Sequence, residues 1–257
     1  MRLFAITLLL VALTTPFSRA DARDIILVAD LWCPYNCYPD SEHPGYMIDI
    51  AKAAFTPAGH KVTYRLINWA RAVREARRGH FQGIVGAFRG DAPDFVFPDE
   101  PLGLSGNAIF VSADNDWRYG GPESLKGMRI GAIRGYDYGD LTEALETYAL
   151  VDVVGGDNAL RTNIRKLVLG RIDAFVAEVS VARYQLERMH LQADVSLSPE
   201  SVKYEEAYIA FPPGLEEASD YARLLSDTVR QMRRDGRLQA ILARYGLQDW
   251  QTPSLSP

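Results

Sequence analysis

Cysteine is nearly absent from this chain: Cys33 and Cys37 are the only two. No disulfide framework can therefore hold the fold together, and its stability must come from a buried core. Histidine is scarce as well. His43, His60, His80 and His190 are scattered without ligand spacing, so neither a metal site nor a histidine-based triad is expected. The chain contains no G-x-S-x-G elbow and no Walker A loop. It also lacks a surplus of positive charge. A net charge of −5 without a basic stripe argues against nucleic acid as a partner. Past residue 20 no apolar run approaches the roughly 20 residues of a membrane helix, so a soluble product is expected. No cofactor is expected.

Residues 1–20 read as an export signal. Arg2 supplies the charged start, Leu3 to Leu13 the apolar run, and Ser18-Arg19-Ala20 the small residues at a cleavage site. Cleavage after Ala20 is expected, with Ala22 as the alternative. Export means an oxidising compartment, and Cys33 and Cys37 are expected to pair across Pro34-Tyr35-Asn36. The rival readings are a redox pair, for which CxxxC is the wrong spacing, and a metal pair, which lacks neighbouring histidines.

The remaining chain is long enough for one large or two moderate domains, and its pattern alternates strand and helix. Apolar runs at Ile25–Ala29, Gly83–Phe88, Ala108–Val111, Arg129–Ile133, Val151–Val154, Asp173–Ala177 and Tyr208–Phe211 read as strands, and Lys61–Leu66 alternates like one. Helices are expected from Gly45 to Ala54, Trp69 to Arg78, Asp140 to Tyr148, Asp157 to Leu169, Ser180 to Met189, Ala218 to Arg234 and Leu238 to Tyr245. Gly59, Gly79, Gly170, Gly236 and Gly246 stand as their stops. Polar stretches near 112–122 and 199–207 suggest hand-overs between two α/β units, the second inserted into the first. The expected division is 21–111 plus 208–257 for one lobe and 112–207 for the other.

Several pieces in this order resemble the family 3 extracellular solute-binding proteins, periplasmic receptors for polar amino acids that feed ABC importers. Pro44 to Ala51 looks like that family's helix start and Trp69 to Gly79 like its next helix. Phe97 to Leu102, Ser124 to Gly131, Leu169 to Val176, Arg234-Asp235-Gly236 and Arg244-Tyr245-Gly246 are similar to later family stretches. The resemblance implies an α/β, type II periplasmic binding fold: two lobes joined by two hinge strands, with a small-molecule ligand closed between them. A transient membrane permease partner and a monomer are expected with it.

The resemblance also suggests site residues. Trp32, Tyr35 and Tyr38 are candidates for the aromatic that covers the ligand, with Tyr35 first; the alternative for Trp32 is cover for the sheet edge. Trp69 opens a helix that faces the cleft in relatives, or packs in the core. The family's carboxylate-binding Arg falls here on Asp91 or Asp94, neither of which can do that work. Arg89 could supply the charge instead, or could simply pair with one of those aspartates. Gly135-Tyr136 stands where relatives hold the ligand carboxylate on backbone N–H groups and a hydroxyl. Glu178 matches the Asp that accepts the ligand's amino group; a structural role would need a partner such as Arg183. Asp173 is expected to be structural, and Asp49 and Asp137 to cap or pair locally. The expected function is capture of an amino acid or related zwitterion. The alternatives are a periplasmic enzyme on the same fold, resembling cyclohexadienyl dehydratase with Glu178 or a nearby Asp as its acid or base, and a ligand sensor for a membrane receptor.

Overall fold

The chain builds two five-stranded mixed sheets, each with four strands running one way and a single strand running against them. A computed structural model of the protein describes residues 24–156 and 158–251. The export segment and the expected Asp157 cap lie outside the described residues.

The first sheet has the order β2 (Lys61–Leu66), β1 (Asp24–Ala29), β3 (Gly83–Ala87), β10 (Glu205–Ala210) and β4 (Gly103–Ser105). Its inner strands β1 and β3 are short and largely apolar, and β3 is buried along its whole length. That is the composition of a strand covered on both faces. One cover is α1 (Tyr46–Phe55), which packs on α6 (Ala218–Arg234) and α7 (Arg237–Ala243). On α6, Tyr221, Leu225, Val229 and Met232 recur at helical spacing and are all buried. Phe55 stands edge-on to both Phe211 and Tyr221 in this core. The other cover is α2 (Trp69–Arg77), whose Ala72 and Ala76 pack with Val28, Ile84 and Phe95.

The second sheet has the order β7 (Leu150–Val154), β6 (Arg129–Ile133), β8 (Ala174–Glu178), β5 (Asn107–Ser112) and β9 (Val195–Leu197). It is flanked by α3 (Asp140–Tyr148), α4 (Ala159–Val168) and α5 (Val179–Met189). Asp173 accepts from the Arg129 backbone N–H at 2.8 Å and pairs with its guanidinium, so it ties β8 to β6. Asp137 accepts from Gly139 N–H and the Thr142 hydroxyl, and Asp49 accepts from Tyr245 and pairs with Arg244. All three are structural, but only Asp137 is satisfied locally, as expected; the expected local pairing of Asp49 is instead a contact with Tyr245, 196 residues away.

The chain passes between the sheets twice, at Gly106 between β4 and β5, and between β9 and β10. The first passage comes before the expected hand-over at 112. The reason is pairing: β5 hydrogen-bonds with β8 and β9, so the run at 108–111 belongs to the second sheet. The polar stretch after it is a loop of that second unit. The two three-residue strands β4 and β9 had no apolar run to announce them.

Candidate functional site

In open α/β sheets, ligands settle at the carboxyl ends of the strands. Trp32 follows β1, Trp69 follows β2, Arg89 follows β3, Tyr136 follows β6 and Glu178 ends β8. Sequence position therefore places all five at strand ends, and the structure shows how each is used.

The loop after β1 is a closed unit. Cys33 and Cys37 are disulfide-bonded with their Cα atoms 4.7 Å apart, and Trp32 and Asn36 exchange backbone hydrogen bonds of 2.9 and 3.0 Å. The carbonyls of Pro34 and Tyr35 accept from the first N–H groups of α1, those of Tyr46 and Met47, at 2.9 and 3.1 Å. These donors have no partner inside a helix, so the loop serves as the helix cap. Gly45 makes the junction possible: at φ 113° a β-carbon would lie 2.4 Å from the Asn36 Cα. Asn36 is buried and donates to the Asp30 carbonyl and to the Tyr64 hydroxyl, fixing the loop to β1 and β2.

This packing corrects the expected role of Tyr35 as the ligand's cover. Its ring is wholly buried, stacked on Trp32 at 3.8 Å and tilted against Tyr46 at 5.2 Å. Trp32 is half-buried, edge-on to Phe88 and against Gly86. Tyr38 points away into solvent, 61% exposed. Trp69 is half-buried against the cluster containing Ala72 and Phe95.

Tyr35 instead reaches the second lobe. Its hydroxyl lies 2.6 Å from the Leu104 carbonyl oxygen, 2.9 Å from Glu178 Oε1 and 3.1 Å from Ser180 Oγ. Glu178 caps α5 by accepting from Val181 N–H at 2.7 Å, and Gly106 N–H approaches it at 3.5 Å. The expected partner Arg183 is not among these contacts. Burial holds the Glu178 carboxyl above the ordinary carboxylate range, against the pull of the Val181 and Ser180 amides and the Tyr35 hydroxyl. The Tyr35 hydroxyl has a single proton and faces three oxygens, those of Leu104, Glu178 and Ser180.

Arg89 pairs with neither expected aspartate. Asp94 is bound by Arg77 at 2.7 Å, and Asp91 accepts from Phe88 N–H. Arg89 Nη2 donates to the Pro98 carbonyl at 3.2 Å and approaches the Tyr208 hydroxyl at 3.3 Å. Its guanidinium lies over the rings of Phe97 and Tyr208, at 5.1 and 4.6 Å. These contacts hold it within the first lobe. Tyr136 is 64% exposed, and its N–H, expected to meet a ligand, donates to the Ile133 carbonyl at 3.2 Å.

Sequence reasoning missed Tyr46, Gly106 and Ser180 at the junction of the lobes. Among the described residues no group of three or more His, Cys, Asp or Glu side chains could hold a metal ion.

No curated protein matches the sequence. The likeness to solved structures covers both lobes. The L-cystine solute receptor of Neisseria gonorrhoeae, in its unliganded open conformation, is similar at TM-score 0.68 and 17% identity, over 91% of this chain and 98% of that one. Substrate-binding domain 2 of Lactococcus lactis GlnP, also open, is similar at TM-score 0.67 and 20% identity, over 90% of this chain and 97% of that one. A polar amino acid ABC uptake transporter substrate-binding protein from Streptococcus thermophilus is similar at TM-score 0.69 and 18% identity, over 86% of this chain and 85% of that one. At these identities the likeness carries the fold. The family model of bacterial extracellular solute-binding proteins, family 3, matches residues 25–248, which takes in both sheets and both passages between them. The chain belongs to that family.

Proposed function

We propose that this protein captures a small polar solute, an amino acid or related zwitterion, in the periplasm and hands it to the membrane permease of an ABC importer. The observation that carries the reading is the meeting of the two lobes at Tyr35 and Glu178. That contact joins the loop after β1 to the end of β8, and in this reading Trp32, Trp69 and Tyr136, which also follow strand ends, touch the ligand. A ligand that touches both lobes favours their closure, because it binds the closed arrangement better than the open one. The solved structures similar to it support the solute class, since one is a receptor for L-cystine and another a binding protein for polar amino acids. In this reading Tyr35 and Glu178 form the joint, and residues 1–20 direct export and are removed.

Thermal melts of the exported protein against the common amino acids and simple amines test the proposal. A true ligand at a hundredfold excess over its dissociation constant stabilises the native state by about 2.7 kcal/mol. A folded protein whose melting point none of them moves, and which releases no small molecule on denaturation, would overturn it. N-terminal sequencing of exported protein is expected to start at Asp21.

The raised carboxyl of Glu178 favours one second reading, an acid that protonates a leaving group as a dehydratase requires. A similar structure at TM-score 0.57 and 20% identity is an ancestral amino acid-binding protein described as a precursor of cyclohexadienyl dehydratase. Turnover of prephenate or arogenate by the purified protein would establish this reading, and its absence would retire it.

A further inference from the structure

Beside the Gly135 turn, at the carboxyl end of β6, lies a cavity of about 270 Å³ between the second sheet and the first two turns of α3. Its floor follows from strand register. Ala132 lies opposite Val153 and Ile130 opposite Val151, so these four side chains share the face that α3 covers. The cover is incomplete at the strand ends: Val153 remains 47% exposed although both of its neighbours are in the strand. The mouth carries three exposed side chains. Tyr136 is 64% exposed, its ring tilted against that of Tyr138 with centroids 6.3 Å apart. Arg134 and Glu146 also line the cavity, both exposed. Among the described residues neither makes an ion pair, with the other or with any third group. Arg134 lies beside the loop after β7, its Nε 3.6 Å from where a β-carbon on Gly155 would stand.

A small-molecule pocket is concave and mostly apolar, with a few converging polar groups, and ranges upward from about 300 Å³. At about 270 Å³ this cavity lies just below that range; it is mostly apolar, with one cation and one anion at its rim. We propose that it is a subsite of the ligand cleft and that it selects an α-amino acid with an apolar side chain. Arg134 receives the carboxylate in fork geometry. Glu146 receives the ammonium. The side chain lies on Ala132 and Val153 beneath the ring of Tyr136. Two unpaired opposite charges at one rim suit a zwitterion better than a simple anion or amine. The apolar floor then decides among zwitterions, each buried methylene being worth about fourfold in affinity. In this arrangement Glu146 takes the ammonium-binding role that the sequence suggests for Glu178, whose oxygens already serve Tyr35, Gly106 and Val181.

The inference rests on the solute-binding reading and names its ligand class, so the test separates the two. Calorimetric titration uses L-phenylalanine, 3-phenylpropanoate, phenethylamine, L-serine and L-glutamine against wild type, Arg134→Gln, Glu146→Gln and Val153→Phe. Wild type is expected to bind L-phenylalanine best, and to bind the probes lacking ammonium or carboxylate at least roughly tenfold more weakly. Arg134→Gln and Glu146→Gln change exposed residues and should fold normally. Each is expected to lose roughly tenfold or more for L-phenylalanine, and Val153→Phe is expected to fill the cavity and abolish binding. Tight binding of L-glutamine or L-serine instead, or L-phenylalanine binding that Arg134→Gln and Glu146→Gln leave unchanged, overturns the subsite and leaves the solute-binding reading standing. Failure of every amino acid to bind folded wild type overturns both.

Discussion

The Tyr35 hydroxyl and Glu178 Oε1 lie 2.9 Å apart, although 143 residues of chain separate them. One belongs to the capped loop of the first lobe and the other to the strand end of the second. This contact sits beside Gly106, where the chain passes between the lobes. A group so placed acts at the pivot of any rotation of one lobe against the other, where distances change least.

Tyr35→Phe removes the hydroxyl that both the Leu104 carbonyl and the Glu178 carboxyl meet, and leaves those buried oxygens without that partner. Leaving buried acceptors unpaired costs about 1–3 kcal/mol, so urea denaturation should report a loss in that range. A loss below about 0.5 kcal/mol, the ordinary effect of a surface change, would show that the contact does not hold the lobes together.

Much of the architecture could be read from residue patterns, and the limits have physical causes. Buried strands such as β3 announce themselves as continuous apolar runs, and α6 by its helical spacing. Gly59, Gly79 and Gly170 all adopt the positive φ that a helix stop requires. The passage at Gly106 was hidden because it depends on which distant strand β5 joins. Tyr35 was misread for a similar reason. An aromatic in a loop looks available until Trp32 and Tyr46 are seen to enclose it. Glu178 was legible as a strand-end carboxylate in need of a partner, but nothing local pointed to a tyrosine in the other lobe.

The raised carboxyl of Glu178 makes a signed prediction about pH. Its folded pKa lies above the unfolded value, about 4.3 for glutamate. The folded state therefore holds this proton more tightly than the unfolded state does. The stability it contributes is fully present below the unfolded value and is lost as pH rises through the folded one. Glu178→Gln lacks the titration, while other groups contribute equally to both proteins. The stability of wild type relative to Glu178→Gln, from urea midpoints between about pH 4 and pH 7, should fall with rising pH. A difference that stays flat or rises would contradict the assignment.

The Cys33–Cys37 bond closes a loop that also caps α1 and carries the Trp32–Tyr35 stack. By the chain-entropy account a loop this short yields about 2 kcal/mol. Cys33→Ser with Cys37→Ser should lose about that much, and Trp32 emission should shift to the red as its half-buried ring loosens. An unchanged stability would mean that the Trp32–Asn36 hydrogen bonds alone hold the loop.

Gly106 gives the sharpest test of how the lobes are joined. A β-carbon added there would lie 2.7 Å from the Lys203 carbonyl oxygen and 3.1 Å from Tyr204 Cδ1. The two passages between the lobes therefore touch at this point, and the obstacle is backbone that cannot swing aside like a flexible side chain. Gly106→Ala must push the second passage away and shift Gly106 N–H relative to Glu178. Overpacking of this kind costs about 1–3 kcal/mol. Because the strain sits at the pivot, it should also change the angle between the lobes, and small-angle scattering should report a radius of gyration different from wild type. Helices and sheets within each lobe lie away from the strain, so far-ultraviolet circular dichroism should be unchanged. A Gly106→Ala protein with wild-type stability and wild-type scattering would mean that the passages move independently, and the lobes would then need another pivot.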